Sequence, residues 1–229
     1  MSAAPWVRTT PDKPLFHDRR EAGRILARRL KTLVADSNVI VLALPRGGVP
    51  VGFEVAHALH ADLDVFIVRK LGVPGHEELA MGALASGGVR VLNHAIVQQF
   101  EISPAVIDYI TAREQREIER REVLYREGRP PLPIEQRMVI VVDDGLATGA
   151  TMLAAARALR KRRPKQIMVA VPVASRESCE DFGRHVDQIV CAATPEPFYA
   201  VGACYEDFSQ ITDAEVRELL ERSARERVT

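Results

Sequence analysis

Five runs rich in Val and Ile, at 39–44, 65–68, 138–142, 167–173 and 188–191, are apolar at consecutive rather than alternate positions. A strand with one wet face alternates, whereas continuous runs belong to strands covered on both faces by helices. Between and around them lie stretches of helical period at 18–30, 49–60, 104–126, 151–162, 177–184 and 212–225. Asp18 is placed to cap the first, and Thr212 with Glu215 three residues on has the spacing of a capping box for the last. Alternating strand and helix predicts an α/β fold, a doubly wound, mostly parallel five-stranded sheet with flanking helices. The helix from 104 is long and densely charged, and Pro130, Pro131 and Pro133 stop it. It reads as a solvated helix crossing the sheet, with Ile107, Ile110, Ile118 and Leu124 as its buried stripe; an oligomerising arm, compatible with a homodimer, is the other reading.

Composition narrows this picture. At 229 residues, 47% hydrophobic and 27% charged, the chain can bury a full core unaided as one large domain or a core with a small appendage. The 31 basic and 31 acidic residues cancel, which argues against a nucleic-acid partner. No apolar run approaches the roughly 20 residues of a membrane span. The start, Met-Ser-Ala-Ala-Pro-Trp-Val-Arg, lacks the pattern of a secretory signal, so a cytoplasmic location is expected. Cys179, Cys191 and Cys204 are odd in number and form no C-x-x-C pair, so ordinary thiols are expected rather than a disulfide framework or a zinc site.

The chemistry concentrates in Val141-Val142-Asp143-Asp144-Gly145-Leu146-Ala147-Thr148-Gly149-Ala150-Thr151, where a strand ends in two acids and a small-residue loop enters an Ala-rich helix. Free N–H groups and a helix N-terminus suit a phosphate dianion, with Thr148 and Thr151 as hydroxyl donors. Ionised carboxylates only accept hydrogen bonds, so the acids imply a ligand that also carries vicinal hydroxyls or a magnesium shell. That ligand is a sugar phosphate. A Walker A loop is excluded because Ala150 stands where Lys is required, and no G-x-G-x-x-G opens a helix here.

The same segment resembles the 5-phosphoribosyl 1-pyrophosphate (PRPP) signature of the type I phosphoribosyltransferases. Phe16-His17-Asp18-Arg19, Ala22-Gly23 and the segment 198–208 are similar to a bacterial branch of that family, so the resemblance covers nearly the whole chain. It implies one domain over 1–229: a core at about 20–95 and 135–195, a helical insertion at about 96–134, and a hood with the C-terminal helix at about 196–229. It also implies magnesium-dependent transfer of phosphoribose from PRPP to a nucleobase-like acceptor with release of pyrophosphate. PRPP would be held by Arg46, Gly47, Gly48, Arg69, Lys70, Asp143, Asp144, Gly145, Leu146, Ala147, Thr148, Gly149, Ala150 and Thr151. The loop Leu44-Pro45-Arg46-Gly47-Gly48 would take the diphosphate and carry a non-proline cis peptide at Pro45–Arg46. Arg69 and Lys70 would add cations from a mobile lid running to Glu78.

Asp143, Asp144, Lys70, Glu77 and Glu78 are the catalytic candidates, and Phe198 or Tyr199 would stack on the acceptor, with Glu206 and Asp207 behind them. Hypoxanthine-type members carry an acid where Ala147 stands, so Glu77 and Glu78 are the nearest substitutes. No residue is assigned as a metal ligand. A PRPP- or nucleotide-sensing regulator on the same fold is the alternative, in which the basic run Arg157, Arg160, Lys161, Arg162, Arg163 and Lys165 would meet nucleic acid; a metal-dependent hydrolase lacks a nucleophile.

Overall fold

The computed structural model describes residues 7–9, 13–35, 38–147 and 149–227. A short strand β1 (Val7–Thr9) leads to α1 (Arg19–Leu30), capped as expected by Asp18, whose side chain accepts from the Glu21 N–H. Then come β2 (Val39–Ala43), α2 (Gly48–Leu59) and β3 (Asp62–Val65). Three further strands, β4 (Val68–Val73), β5 (His76–Ala85) and β6 (Val89–Leu92), precede α3 (His94–Gln99) and the long α4 (Pro104–Arg126). The second half runs β7 (Met138–Val142), α5 (Ala150–Arg160), β8 (Gln166–Val173), α6 (Arg176–Phe182), β9 (Gln188–Pro195) and α7 (Asp213–Glu226), the last with its Thr212–Glu215 capping box formed.

The main sheet is parallel throughout, in the order β1-β9-β8-β7-β2-β3. Four of the five strands read from the sequence are there, the fifth lies at Asp62–Val65 rather than at 65–68, and Val7–Thr9 adds a sixth at the edge. Both faces of β2 are buried, in strict alternation. Val39 and Val41 pack with Leu26, Leu30, Val51 and Val55 of α1 and α2, while Ile40 and Leu42 pack with Met152 and Leu159 of α5. Because β2 continues to β3 on one side and the chain returns as β7 on the other, the order reverses between β2 and β7. Ligands of open α/β sheets bind in the crevice at such a switch point, beyond the carboxyl ends of the strands.

The run at 65–68 straddles two sheets. β3 closes at Val65, and Phe66 and Ile67 turn the chain, tied by Phe66 N–H to the Ala43 carbonyl and Ile67 N–H to Ser86 Oγ. β4, β5 and β6 then form an antiparallel sheet of their own, so the residues read as a lid loop are a hairpin. Gly75, at φ 75°, makes its turn, and Gly72 its bulge, where a Cβ would lie 2.8 Å from the Glu77 carbonyl oxygen.

Helix α4 buries Ile107, Ile110 and Ile118 as expected, but Tyr125 is the buried residue at its end where Leu124 is only half-buried. Its last turn is fastened by charge. Arg126 Nε donates to Asp64 at 2.9 and 3.2 Å, its Nη2 reaches the Val65 carbonyl at 3.1 Å, and Tyr125 donates to Asp213 at 2.7 Å. Burial and the Asp213 contact push the Tyr125 hydroxyl up to about 12.

One expectation fails outright: Cys179 of α6 and Cys191 of β9 form a disulfide, Cα to Cα 6.8 Å, while Cys204 is a buried thiol. The return of α6 directly onto β9 brings the two together, and spacing alone could not show it. No helix among the described residues is long and apolar enough to cross a membrane.

Candidate active site

Register aligns the ends of β2 and β7, Ala43 opposite Val142, so the segments that follow them lie side by side. The first runs over a cis Pro45–Arg46 bond into α2; the second runs through Asp143 and Asp144 to Gly149, at φ 71°, and into α5. Among the described residues these two helices differ from the other five. α1, α3, α4, α6 and α7 are each capped by the side chain of Asp18, Asn93, Ser103, Ser175 or Thr212, whereas α2 and α5 begin behind Gly47 and Gly149 with no side-chain cap. At α2 the Gly48 and Val49 N–H groups donate to the Leu44 and Arg46 carbonyls at 3.0 and 3.1 Å, so what both helix starts offer an anion is chiefly the positive end of the helix dipole. Ala150 and Thr151 are exposed at the start of α5.

The two segments approach closely. A Cβ on Gly47 would lie 2.1 Å from Asp144 Oδ2, and one on Gly48 2.7 Å from the Val142 carbonyl oxygen. The acid loop is pinned from below: Leu146 is buried and its N–H donates to the Val173 carbonyl at 2.9 Å, and Ser178 Oγ donates to the Ala147 carbonyl at 2.7 Å. Val201 covers it from above, so close that a Cβ on Gly145 would lie 2.4 Å from Val201 Cγ1. Thr148 lies outside the described residues.

The two carboxyls are electrostatically unequal. Asp143 accepts the Asp144 N–H at 2.9 Å, and burial, then the charge of Asp144, holds its carboxyl well above the ordinary carboxylate range. Burial raises Asp144 as well, against the opposing pull of Arg19, whose Nε donates to Asp144 Oδ2 at 2.8 Å. A carboxyl raised by folding binds more protons folded than unfolded, so stability falls as pH climbs from the ordinary carboxylate range through the raised value. Asp143→Asn, which keeps the oxygen that accepts the Asp144 N–H, is therefore expected to melt about 2–8 °C higher than wild type at neutral pH, a gain of about 1–2 kcal/mol. Near pH 4 or below the gain should shrink; a Tm difference that is flat with pH would contradict this assignment.

The other candidates are more dispersed. Arg46 is half-buried, with Nη1 3.9 Å from Asp213. Arg69 donates to Glu114 at 2.8 Å, and Lys70 Nζ to the Glu78 carbonyl and carboxylate at 3.0 and 3.2 Å. Arg69, Lys70 and Glu77 line a groove of about 490 Å³ with Tyr109 and Arg113 of α4, whose lining includes neither Asp143 nor Asp144. Phe198 and Tyr199 separate: Phe198 packs against the cluster of Phe16, Val173 and Tyr205, while Tyr199 is 83% exposed. The sequence reading left Arg19, Tyr205 and Ser178 without a role. Arg19 had a signal, since a cation at the first position of a helix opposes the macrodipole and calls for another partner.

A family profile described as a phosphoribosyl transferase domain matches residues 16–196. The chain is 45% identical over 212 residues to the Mycobacterium tuberculosis protein named "Putative phosphoribosyl transferase Rv0571c", covering 93% of this chain and 48% of that one. It thus spans about half the length of the curated relatives it matches. The crystal structure of TT1426 from Thermus thermophilus superposes with a TM-score of 0.80 at 40% identity, over 90% of this chain and 98% of that one.

Proposed function

The chain belongs to the phosphoribosyl transferase family, and on that premise we propose that it binds PRPP at the β2/β7 crevice and transfers phosphoribose to a nucleobase-like acceptor with release of pyrophosphate. One observation carries the reading: two helix N-termini without side-chain caps flank a half-buried acid pair, matching a ligand with an anion at each end and a diol between them. The 5′-phosphate would take the N-terminus of α5 and the loop from Gly145 to Thr151. The diphosphate would take Arg46, Gly47 and the dipole end of α2, where the Gly48 N–H already donates to the Leu44 carbonyl at 3.0 Å, with Arg69 and Lys70 as further cations carried on the β4–β5 hairpin.

Cleavage at ribose C1 builds positive charge on the ring and negative charge on the diphosphate, so the chain's task is electrostatic. Asp143 and Asp144 accept from the ribose hydroxyls and oppose the ring charge. The α2 N-terminus and Arg46 stabilise the departing anion. Anchoring the non-reacting phosphate at α5 converts its binding energy into the position of C1.

Magnesium fits this arrangement. Asp143 is a half-buried carboxylate whose bonded donor is a backbone N–H rather than a cation, and magnesium in phosphate sites keeps waters and takes one or two carboxylates with substrate phosphates. Among the described residues no group of three or more His, Cys, Asp or Glu forms a cage, which suits an ion that enters with the diphosphate. When bound, it would neutralise charge on the leaving group. The acceptor would lie against Tyr199, with Glu77 and Glu78 as proton-handling candidates because Ala147 offers none.

The primary test is thermal. With magnesium and PRPP at about 100-fold excess over Kd, stability should rise by about 2.7 kcal/mol, or roughly 5–11 °C in Tm. No shift would remove the PRPP reading, and pyrophosphate release across a panel of bases then separates turnover from sensing. Tyr199→Ala is expected to raise KM for the acceptor roughly 5- to 150-fold with PRPP affinity unchanged, the range for losing one base–aromatic stack. Phe198→Leu should lower Tm and leave that KM alone.

A further inference from the structure

Arg19 is a buried charge that the mechanism above does not use, and it alone of the buried charges among the described residues bonds one of the two acids. It is 8% exposed, and its guanidinium is committed on three sides. Nε donates to Asp144 Oδ2 at 2.8 Å, Nη1 donates to the Ser209 carbonyl at 2.8 Å, and the guanidinium carbon lies 3.9 Å from the centre of the Phe208 ring. The segment holding it is itself fixed. Tyr205 donates its hydroxyl to the Asp144 carbonyl at 2.5 Å and packs 5.3 Å from Phe16 and 5.1 Å from Phe208, and Glu206 and Asp207 donate their N–H groups to the Phe16 and His17 carbonyls. One side chain thereby ties the start of α1, the acid loop after β7 and the segment 205–209 into a single unit.

A purely structural strut would not need to end on one oxygen of a functional acid. A hydrogen bond to Oδ2 fixes the rotation of the Asp144 carboxylate and leaves Oδ1 to accept elsewhere, while Asp143 has no such cation bonded to it among the described residues. The stacked Phe208 ring keeps the guanidinium in plane, and the Ser209 carbonyl satisfies a second donor, so Arg19 is held where Asp144 must meet it. We propose that Arg19 is a positioning residue that orients Asp144 toward the ribose diol, coupling ribose recognition to the docking of the segment 205–209 on the start of α1. The proposal rests on the PRPP reading for its ligand, and on the Arg19–Asp144 contact alone for its coupling.

Two measurements on the full chain test the two parts separately. In a thermal double-mutant cycle without ligand, Arg19→Met should lower Tm because it leaves the Asp144 carboxylate without its cation, and Asp144→Asn should offset that loss, so that the double variant loses clearly less than the single changes predict by addition. Additive changes would overturn the coupling, whatever the ligand. In calorimetric binding with magnesium present, Arg19→Met should weaken PRPP roughly 10- to 100-fold, the range for a lost hydrogen bond to a charged group, while inorganic pyrophosphate keeps its wild-type affinity. Arg19→Lys should recover part of the loss, since one ammonium can reach Asp144 but cannot also serve Ser209 in the same fork. Equal weakening of PRPP and pyrophosphate would reduce Arg19 to a structural strut and overturn the proposal. If wild type binds no PRPP, the functional reading fails, and the ligand-free cycle still decides whether Arg19 holds Asp144.

Discussion

Asp143→Asn combined with Asp144→Asn is expected to abolish the PRPP-induced rise in Tm and to leave the protein folded. Asn preserves the shape of each side chain and an oxygen for the Asp144 N–H that Asp143 accepts at 2.9 Å. What disappears is charge. Two charge-assisted hydrogen bonds to ribose hydroxyls contribute about 1.5–3 kcal/mol each, so the pair should weaken PRPP about 100- to 10,000-fold, beyond what a thermal shift at practical ligand concentrations registers. Pyrophosphate release should fall at least as far, because the same carboxylates oppose the positive charge that builds on the ring only as the bond breaks. The ligand-free Tm is the internal control: burial raises both carboxyls, so removing either charge relieves that cost, and an amide oxygen at position 144 can still accept from Arg19, so the double variant should melt close to or above wild type. A double variant that still responds to PRPP like wild type would place the ribose elsewhere and undo the assignment of this crevice.

Much of this site was legible from Val141 to Thr151 because it is local: a strand, two acids and a helix entry follow one another in the chain, and their order constrains their geometry. The cis bond at Pro45–Arg46, implied by the resemblance, is present in the structure. What escaped the sequence is long-range or edge-dependent. Arg19 meets Asp144 across 125 residues, and its only trace was a cation at the wrong end of a helix. The hairpin of β4 and β5 read as a loop because its residues, Arg69 to Glu78, are polar and Gly-rich; their pairing is fixed by the Gly75 turn and by packing against α4 and α5, not by alternation. β3 was displaced by three residues because, at the edge of the sheet, it carries Asp62 and Asp64. The apolar run that looked like a strand is the turn beyond it. The Cys179–Cys191 pair depends on how α6 returns to β9, which no spacing rule encodes.

Gly48→Ala should be among the most damaging single methyl groups that can be added to this chain. The crevice exists because the turn after β2 lies directly on the end of β7, where a Cβ at Gly48 would lie 2.7 Å from the Val142 carbonyl oxygen and 2.9 Å from Asp143 Cα. Both are backbone atoms at the end of a strand paired on each side, by β2 and by β8, so they cannot yield cheaply. The turn must lift instead, moving the α2 N-terminus away from the acid pair. Overpacking of this kind costs about 1–3 kcal/mol, or roughly 2–12 °C in Tm, and a displacement near 1 Å between catalytic groups costs about 100-fold in rate. Gly47→Ala differs in kind, because its Cβ would meet the Asp144 carboxylate, a side chain that can turn aside by breaking its bond to Arg19. Gly47→Ala should therefore keep most of its stability while losing PRPP affinity, and Gly48→Ala should lose both. Gly75→Ala supplies the contrast: its Cβ would meet nothing within 4 Å, and φ 75° leaves only backbone strain of about 1–2 kcal/mol. If Gly48→Ala binds PRPP as wild type does, the diphosphate does not sit on this turn.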